Sequence, residues 1–235
     1  MPDLHDISRI FSKIRNRLLF HIFFAFVFFV IAFEYSSQIL SILEDLLLPD
    51  NATLIHIRPA EYLMIRIKFA GYSAILSFVF TTGLHGLFSL KAINDNFQMS
   101  ILRLSSFFTF SLTLFTAGCY YALFITLPLV LNYLNNDALN AGIDSTYSLS
   151  EFYSFIMILT FALGLTFQLP LVMFVIVKAN LITVETLKSY RPHLIVSFFL
   201  FSGLITPPDV LSQFLLAIPL IILYELSLFI VRFLE

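Results

Sequence analysis

Residues 104–134 read LSSFFTFSLTLFTAGCYYALFITLPLVLNYL, thirty-one positions without one charged side chain. A helix crosses the ~30 Å hydrocarbon layer of a bilayer with about 20 apolar residues. At 1.5 Å per residue this run would reach ~46 Å, so it should tilt, bend at Pro128 or project beyond the membrane. The rest of the chain agrees with that solvent. Hydrophobic residues make up 59% of the 235 and charged residues 12%, against roughly 45–50% and about 25% in soluble domains. Such a chain cannot cover itself with polar groups, so it is expected in lipid.

Working outward from 104–134, the stretches between charges define spans at about 18–33, 62–88, 152–177, 193–205 and 211–231, six in all. The segment 36–48 differs. Ile39, Leu40, Ile42, Leu43, Leu46 and Leu47 recur at helical spacing, with Glu44 and Asp45 on the other side, which predicts a short helix lying in the outer interface. The first span follows Arg9, Lys13, Arg15 and Arg17 like the start of a signal peptide. Ala32-Phe33-Glu34 offers no small-x-small cleavage site, so this span is expected to be retained.

Orientation comes from basic residues in short loops. With the N-terminus inside, Arg9, Lys13, Arg15, Arg17, Lys91, Arg103, Lys178, Lys188, Arg191 and Arg232 are all cytoplasmic. The outer segments then hold Arg58 as their one basic residue, and nine acids from Glu34 to Asp209. The prediction is an all-α, polytopic single domain over 1–235, multi-pass in the plasma (inner) membrane, with both termini cytoplasmic. The fifth span has room for only ~14 apolar helical residues, or ~21 Å, and Pro219 and Glu225 interrupt the sixth, so both are expected to be short and to thin the lipid. No inverted repeat of the kind common in secondary transporters is visible.

No catalytic set emerges. His5, His21, His56, His85 and His193 have no paired spacing, and there is no phosphate-binding glycine loop or metal-binding His-Glu-x-x-His run. The lone Cys119 excludes an internal disulfide and a cysteine-based metal site; beside Gly118 it reads as small-residue helix packing. Neither enzyme activity nor a cofactor or metal is expected, and a net charge of −2 leaves no footprint for nucleic acid. Polar groups inside the spans carry the remaining information. Arg66 and Lys68 would line an ion path, or snorkel outward, or pair with Glu34 or Glu61. Gln168, beside Pro170 near the middle of the fourth span, would dock another membrane helix or bond within the bundle. Glu225 in the last span has the same two readings.

The C-terminal third is more specific. Glu151-Phe152-Tyr153-Ser154-Phe155, then Gly164-Leu165-Thr166-Phe167-Gln168-Leu169-Pro170, closely resembles the fourth span of TatC proteins, the C subunits of twin-arginine translocases. Arg191, the turn Leu204-Ile205-Thr206-Pro207-Pro208-Asp209-Val210-Leu211-Ser212-Gln213, Leu216-Ala217-Ile218-Pro219 and Leu223-Tyr224-Glu225 follow in that family's order. Upstream, Pro59-Ala60-Glu61-Tyr62 with Lys68 is similar to the start of its second span, and Pro128 matches the proline of its third. The resemblance runs from about Arg58 to Phe233.

The resemblance implies a curved helical bundle serving as the non-enzymatic receptor and core of a translocase that exports folded proteins using the proton-motive force. Twin-arginine signal peptides, single-span TatA/TatB-type proteins and an oligomeric complex would be its partners. Arg15, Arg17 and Asp95 would face the signal peptide, and Gln168 with Pro170 would dock the partner helix. Pro59, Glu61, Lys68, Asp209 and Gln213 would shape the outer cap. The cytoplasmic motifs depart from the family. Its His-Leu-x-Glu-Leu-Arg-x-Arg run reads Ile10-Phe11-Ser12-Lys13-Ile14-Arg15-Asn16-Arg17 here, and Asp95 is the one acid in 88–100, a loop without the family's Trp and Pro-Gly-Leu. Guanidinium groups seek carboxylates, so a degenerate paralogue acting only as scaffold is one alternative. A small-molecule permease using Gln168, Glu225 and Lys68 is the other.

Overall fold

The computed structural model describes residues 4–93, 101–142, 145–205 and 210–233. Helix α1 (Leu4–Leu47) leads by way of β1 (Thr53–Ile55) to α2 (Glu61–Ile93) and α3 (Ile101–Tyr121). A π turn (Ala122–Thr126) joins α3 to α4 (Leu127–Asn140), and β2 (Thr146–Ser148) leads into α5 (Leu149–Thr166). The chain ends with α6 (Leu169–Lys178), α7 (Val184–Ser189), α8 (Arg191–Ile205) and α9 (Val210–Phe233). Among the described residues, five stretches are long and apolar enough to cross a membrane: Leu18–Leu47, Glu61–Gly83, Ser105–Asn140, Leu149–Lys178 and Gln213–Phe233. The 15-residue Arg191–Ile205 is the short sixth. Phe26, Leu200 and Phe229 are among many large apolar side chains left exposed, a surface suited to lipid and not to water.

Four local features differ from the expected spans. Helix α1 does not break before Ser36; the 36–48 segment is its continuation. Ser36 donates its hydroxyl to the Phe33 carbonyl (2.6 Å), so the polar residue is absorbed by the helix and does not cap a new one. Ahead of Pro128 the helix widens, and the Leu127 amide bonds to the Ala122 carbonyl, five residues back. Proline removes a donor and crowds the carbonyl four residues before it, and an inserted π turn relieves that crowding. Pro170 acts more severely: the fourth span is split at Phe167 and Gln168 into α5 and α6. Pro219, by contrast, lies inside an unbroken α9 of 24 residues, ~36 Å long. The sixth span is therefore of full length, and α8 alone is short.

Two three-residue strands, too short to show a period, join the connections at one end of the bundle. They pair in parallel, Thr53 opposite Thr146 and Ile55 opposite Ser148. This cap end also holds the C-terminus of α1 and the N-termini of α2 and α5. The main core lies just below it, where Leu40, Leu43 and Leu47 of α1 meet Phe152, Tyr153 and Ile156 of α5 and Leu216 and Leu220 of α9. A second cluster, at the far end, packs Met173 and Val177 of α6 against Val184, Tyr224 and Leu228.

Helices α3 and α5 approach each other closely at Gly118. A Cβ on Gly118 would stand 2.8 Å from the Leu163 carbonyl oxygen and 2.9 Å from the Gly164 Cα, both rigid backbone atoms. Gly164 faces the Phe115 ring in return. A glycine at this crossing fits the small-residue packing expected at Gly118. Gly118→Ala should therefore force α3 off α5 and destabilise the protein by about 1–3 kcal/mol. Thermal unfolding in detergent would measure it, with Gly83→Ala, where the added methyl meets nothing within 4 Å, as the neutral control.

Candidate functional site

At the cap end the organising group is the Glu61 carboxylate, 97% buried. Pro59 and Ala60 lie in the turn that starts α2, which aims Glu61 back across the cap. One oxygen accepts the amides of Ile57 (2.8 Å) and Arg58 (3.4 Å); the other accepts the Ser150 amide (2.9 Å) and the Ser148 hydroxyl (3.1 Å). Ser150 is in the first turn of α5, whose amides have no helical acceptor. A single carboxylate thus caps α5, braces the turn before α2 and holds β2 between them. Four donors are what burying a carboxylate requires. Ser148, the residue before α5, makes no capping bond of its own because its hydroxyl donates to Glu61.

Neither Glu34 nor Glu61 holds the cations of α2. The Arg66 guanidinium donates through Nε to the Ser36 hydroxyl (2.8 Å) and through Nη2 to the Phe33 carbonyl (2.9 Å), and it lies over the Phe33 ring at 4.4 Å. That locks α2 against α1 at the site where a break was expected. Lys68 donates to the Ser154 hydroxyl on α5 (3.0 Å). Nearer the end of α1, the buried Tyr153 hydroxyl donates to the Glu44 carboxylate (2.8 Å), so the polar side of α1 in 36–48 faces the bundle at this position.

Gln168 stands at the break that Pro170 imposes, and its amide meets Ser111 of α3. The Ser111 hydroxyl donates to Oε1 (2.7 Å), and Nε2 donates to the Ser111 carbonyl (3.0 Å). The bond within the bundle is therefore made. The same pair lines a groove of about 250 Å³ between α2, α3 and α6, walled by Val79, Phe107, Leu171 and Val175. Ser111 had no distinguishing mark in the sequence beyond being a hydroxyl within a span.

At the far end Arg191 and Glu225 form an ion pair between α8 and α9. Beside it the Tyr224 hydroxyl donates to the Leu187 carbonyl (2.6 Å). Glu225 thus has a structural partner. Gln213, expected at the cap, reaches across the α8–α9 pair to the Phe199 carbonyl (2.9 Å) and lies against Gly203. His21 and His85, which showed no paired spacing, come together between α1 and α2 with ring centroids 5.5 Å apart. Arg15 and Arg17 are carried by the N-terminal part of α1; Asp95 and Asp209 lie outside the described residues.

These features define the class: a multi-pass helical membrane protein whose helices are joined by polar pairs such as Ser36 with Arg66, Ser111 with Gln168 and Arg191 with Glu225. The family is specific. The family model for Sec-independent protein translocase protein (TatC) matches residues 9–219, and the chain belongs to the TatC family. It is 33% identical to the TatC of Aquifex aeolicus over 92% of this chain and 90% of that protein. With the TatC of Halothiobacillus neapolitanus it shares 32% identity over 94% of this chain, which spans 60% of that longer relative. A crystal structure of the twin-arginine translocase receptor TatC in the detergent DDM superposes with a TM-score of 0.82 at 30% identity, covering 94% of this chain and 98% of that one. TatC is a component of a protein translocase and not a catalytic family.

Two outcomes test this geometry. Glu61→Gln puts an amide among four donors and should lower the melting temperature by roughly 5 °C, whereas Asp137→Asn on an exposed surface should not; equal melting temperatures would refute the bracing role. Gln168→Leu and Ser111→Ala should each cost about 1 kcal/mol. The double variant should cost less than their sum, since both remove the bond from the Ser111 hydroxyl to the Gln168 amide.

Proposed function

We propose that this chain is the receptor core of a twin-arginine translocase, with its cap end outside the cytoplasm and the start of α1 within it. The match over 94% of this chain to the TatC receptor structure, at a TM-score of 0.82, is the observation that carries this reading. Signal peptides dock at the cytoplasmic end, near Arg15, Arg17 and Asp95. Single-span TatA/TatB-type helices are recruited to the groove over Gln168 and Ser111, and export of folded cargo draws on the proton-motive force. The apolar walls of that groove, with an amide at one side, suit an apolar helix better than a solute. Pro59, Glu61, Lys68, Asp209 and Gln213 belong to the cap, where Glu61 supplies rigidity. The permease reading has less support, because Gln168 and Lys68 line separate cavities and Glu225 is held by Arg191.

Recognition of the paired arginines is where this chain departs from its relatives in motif. A guanidinium leaves water only for a carboxylate or carbonyl partner, and Lys13 stands where the family carries an acid. Lys13→Glu should therefore strengthen binding of a twin-arginine peptide, and Asp95→Asn should weaken it, each by about two- to fivefold, as exposed pairs do. Both effects should shrink as salt shortens the ~10 Å screening length. Peptide affinity for the detergent-solubilised protein at two ionic strengths measures them. Equal binding of twin-arginine and twin-lysine peptides, unmoved by either substitution, would replace the receptor with a scaffold.

A further inference from the structure

A second groove, of about 570 Å³, runs down from the cap end between α2 and α5, with Ile205 at the cap-side tip of α8 also lining it. Its lining is ordered by depth. Lys68, Glu151 and Ser154 lie nearest the cap; Gly71 and Phe155 come next; Ile75 and Ile158 are deepest. By helical rise, Lys68 is ~10 Å from the start of α2 and Ile75 ~21 Å. A phospholipid has the same order of charge above hydrocarbon.

The charges at the top have no charged partner among the described residues. Lys68 has three N–H donors and makes one bond, to the uncharged Ser154 hydroxyl. Glu151 is exposed one helical turn above Ser154 on the same wall. No ion pair joins Lys68 to Glu151, and among the described residues neither pairs with any other charge. A cation held at this depth normally has a partner or marks a site. Gly71 adds a second observation. Glycine weakens a helix interior relative to alanine, yet a Cβ here would meet nothing within 4 Å. Its structural effect is to leave the groove open between the polar top and the apolar floor.

We propose that this groove binds one phospholipid of the phosphoethanolamine class. Lys68 and the Ser154 hydroxyl hold the phosphate, Glu151 accepts from the primary ammonium, and an acyl chain follows Gly71 to Ile75 and Ile158. Charge complementarity selects the headgroup. An anionic phosphoglycerol head has no cation for Glu151, and a choline head has no N–H to donate to it. The site goes beyond the translocase role and does not depend on it.

The test reconstitutes the full chain in nanodiscs containing equal parts phosphatidylethanolamine, phosphatidylglycerol and phosphatidylcholine, and reads retained lipid by native mass spectrometry. Wild type should retain one phosphatidylethanolamine in preference to the others. Lys68→Gln should lower that retention about tenfold. Glu151→Gln should keep a bound lipid but erase the preference over phosphatidylglycerol. Gly71→Leu, which fills open space with a better helix former, should reduce all three while leaving the melting temperature intact. A photocrosslinker at Ile75 in the native background should attach to lipid. Equal retention of the three lipids by wild type, unchanged retention in Lys68→Gln and Gly71→Leu, or an Ile75 adduct with a protein helix would each overturn the proposal.

Discussion

A polar group inside hydrocarbon has no water to bond, so its partner must be supplied by the protein itself. That constraint organises this molecule. Ser111 meets Gln168, Ser36 meets Arg66, Ser154 meets Lys68, and Arg191 meets Glu225, each pair joining two helices. Between helices in lipid there is little hydrophobic force, so such pairs set which faces turn toward one another. Close packing then acts on faces already chosen, most tightly where Gly118 lets α3 lie against the backbone of α5.

Glu61 extends the same logic to the rim of the bundle. The starts of α2 and α5 each leave amides without helical acceptors, and the two strands between the helices are too short to hold alone. One buried carboxylate takes up the Ser150 amide, two amides of the turn before α2 and the Ser148 hydroxyl, and ties α2, β2 and α5 into a rigid cap. The far end is built differently, from the Met173–Tyr224 cluster and one ion pair between α8 and α9. The short α8, ~22 Å at 1.5 Å per residue, spans between these ends with less length than the lipid, while its partner α9 has the full crossing length. The mismatch is therefore local to one helix.

Among TatC relatives, this chain keeps the architecture. Fold retention at 30% identity follows from the kind of constraint involved: helices, close-approach glycines and internal polar pairs tolerate much change on lipid-facing positions.

The sequence by itself determined the solvent, the helical class and all six spans, because hydrocarbon admits few charges and demands a minimum helix length. Gln168, Arg66, Lys68 and Glu225 were legible as groups that needed explaining, since a polar side chain in an apolar run stands out. Their partners were not legible. Ser111 lies 57 residues from Gln168 and Ser154 lies 86 from Lys68, and a serine in a span carries no mark of which helix it will face. The two boundary errors share that origin. Ser36 looked like the end of a helix until Arg66, from another helix, was found bonded to it. Pro219 looked like a break although α9 runs on through it, while Pro170 did break its span. Local residues set where a helix can bend; the tertiary structure decided where it does, because only packed neighbours can supply or withhold the bonds that a proline or serine leaves open.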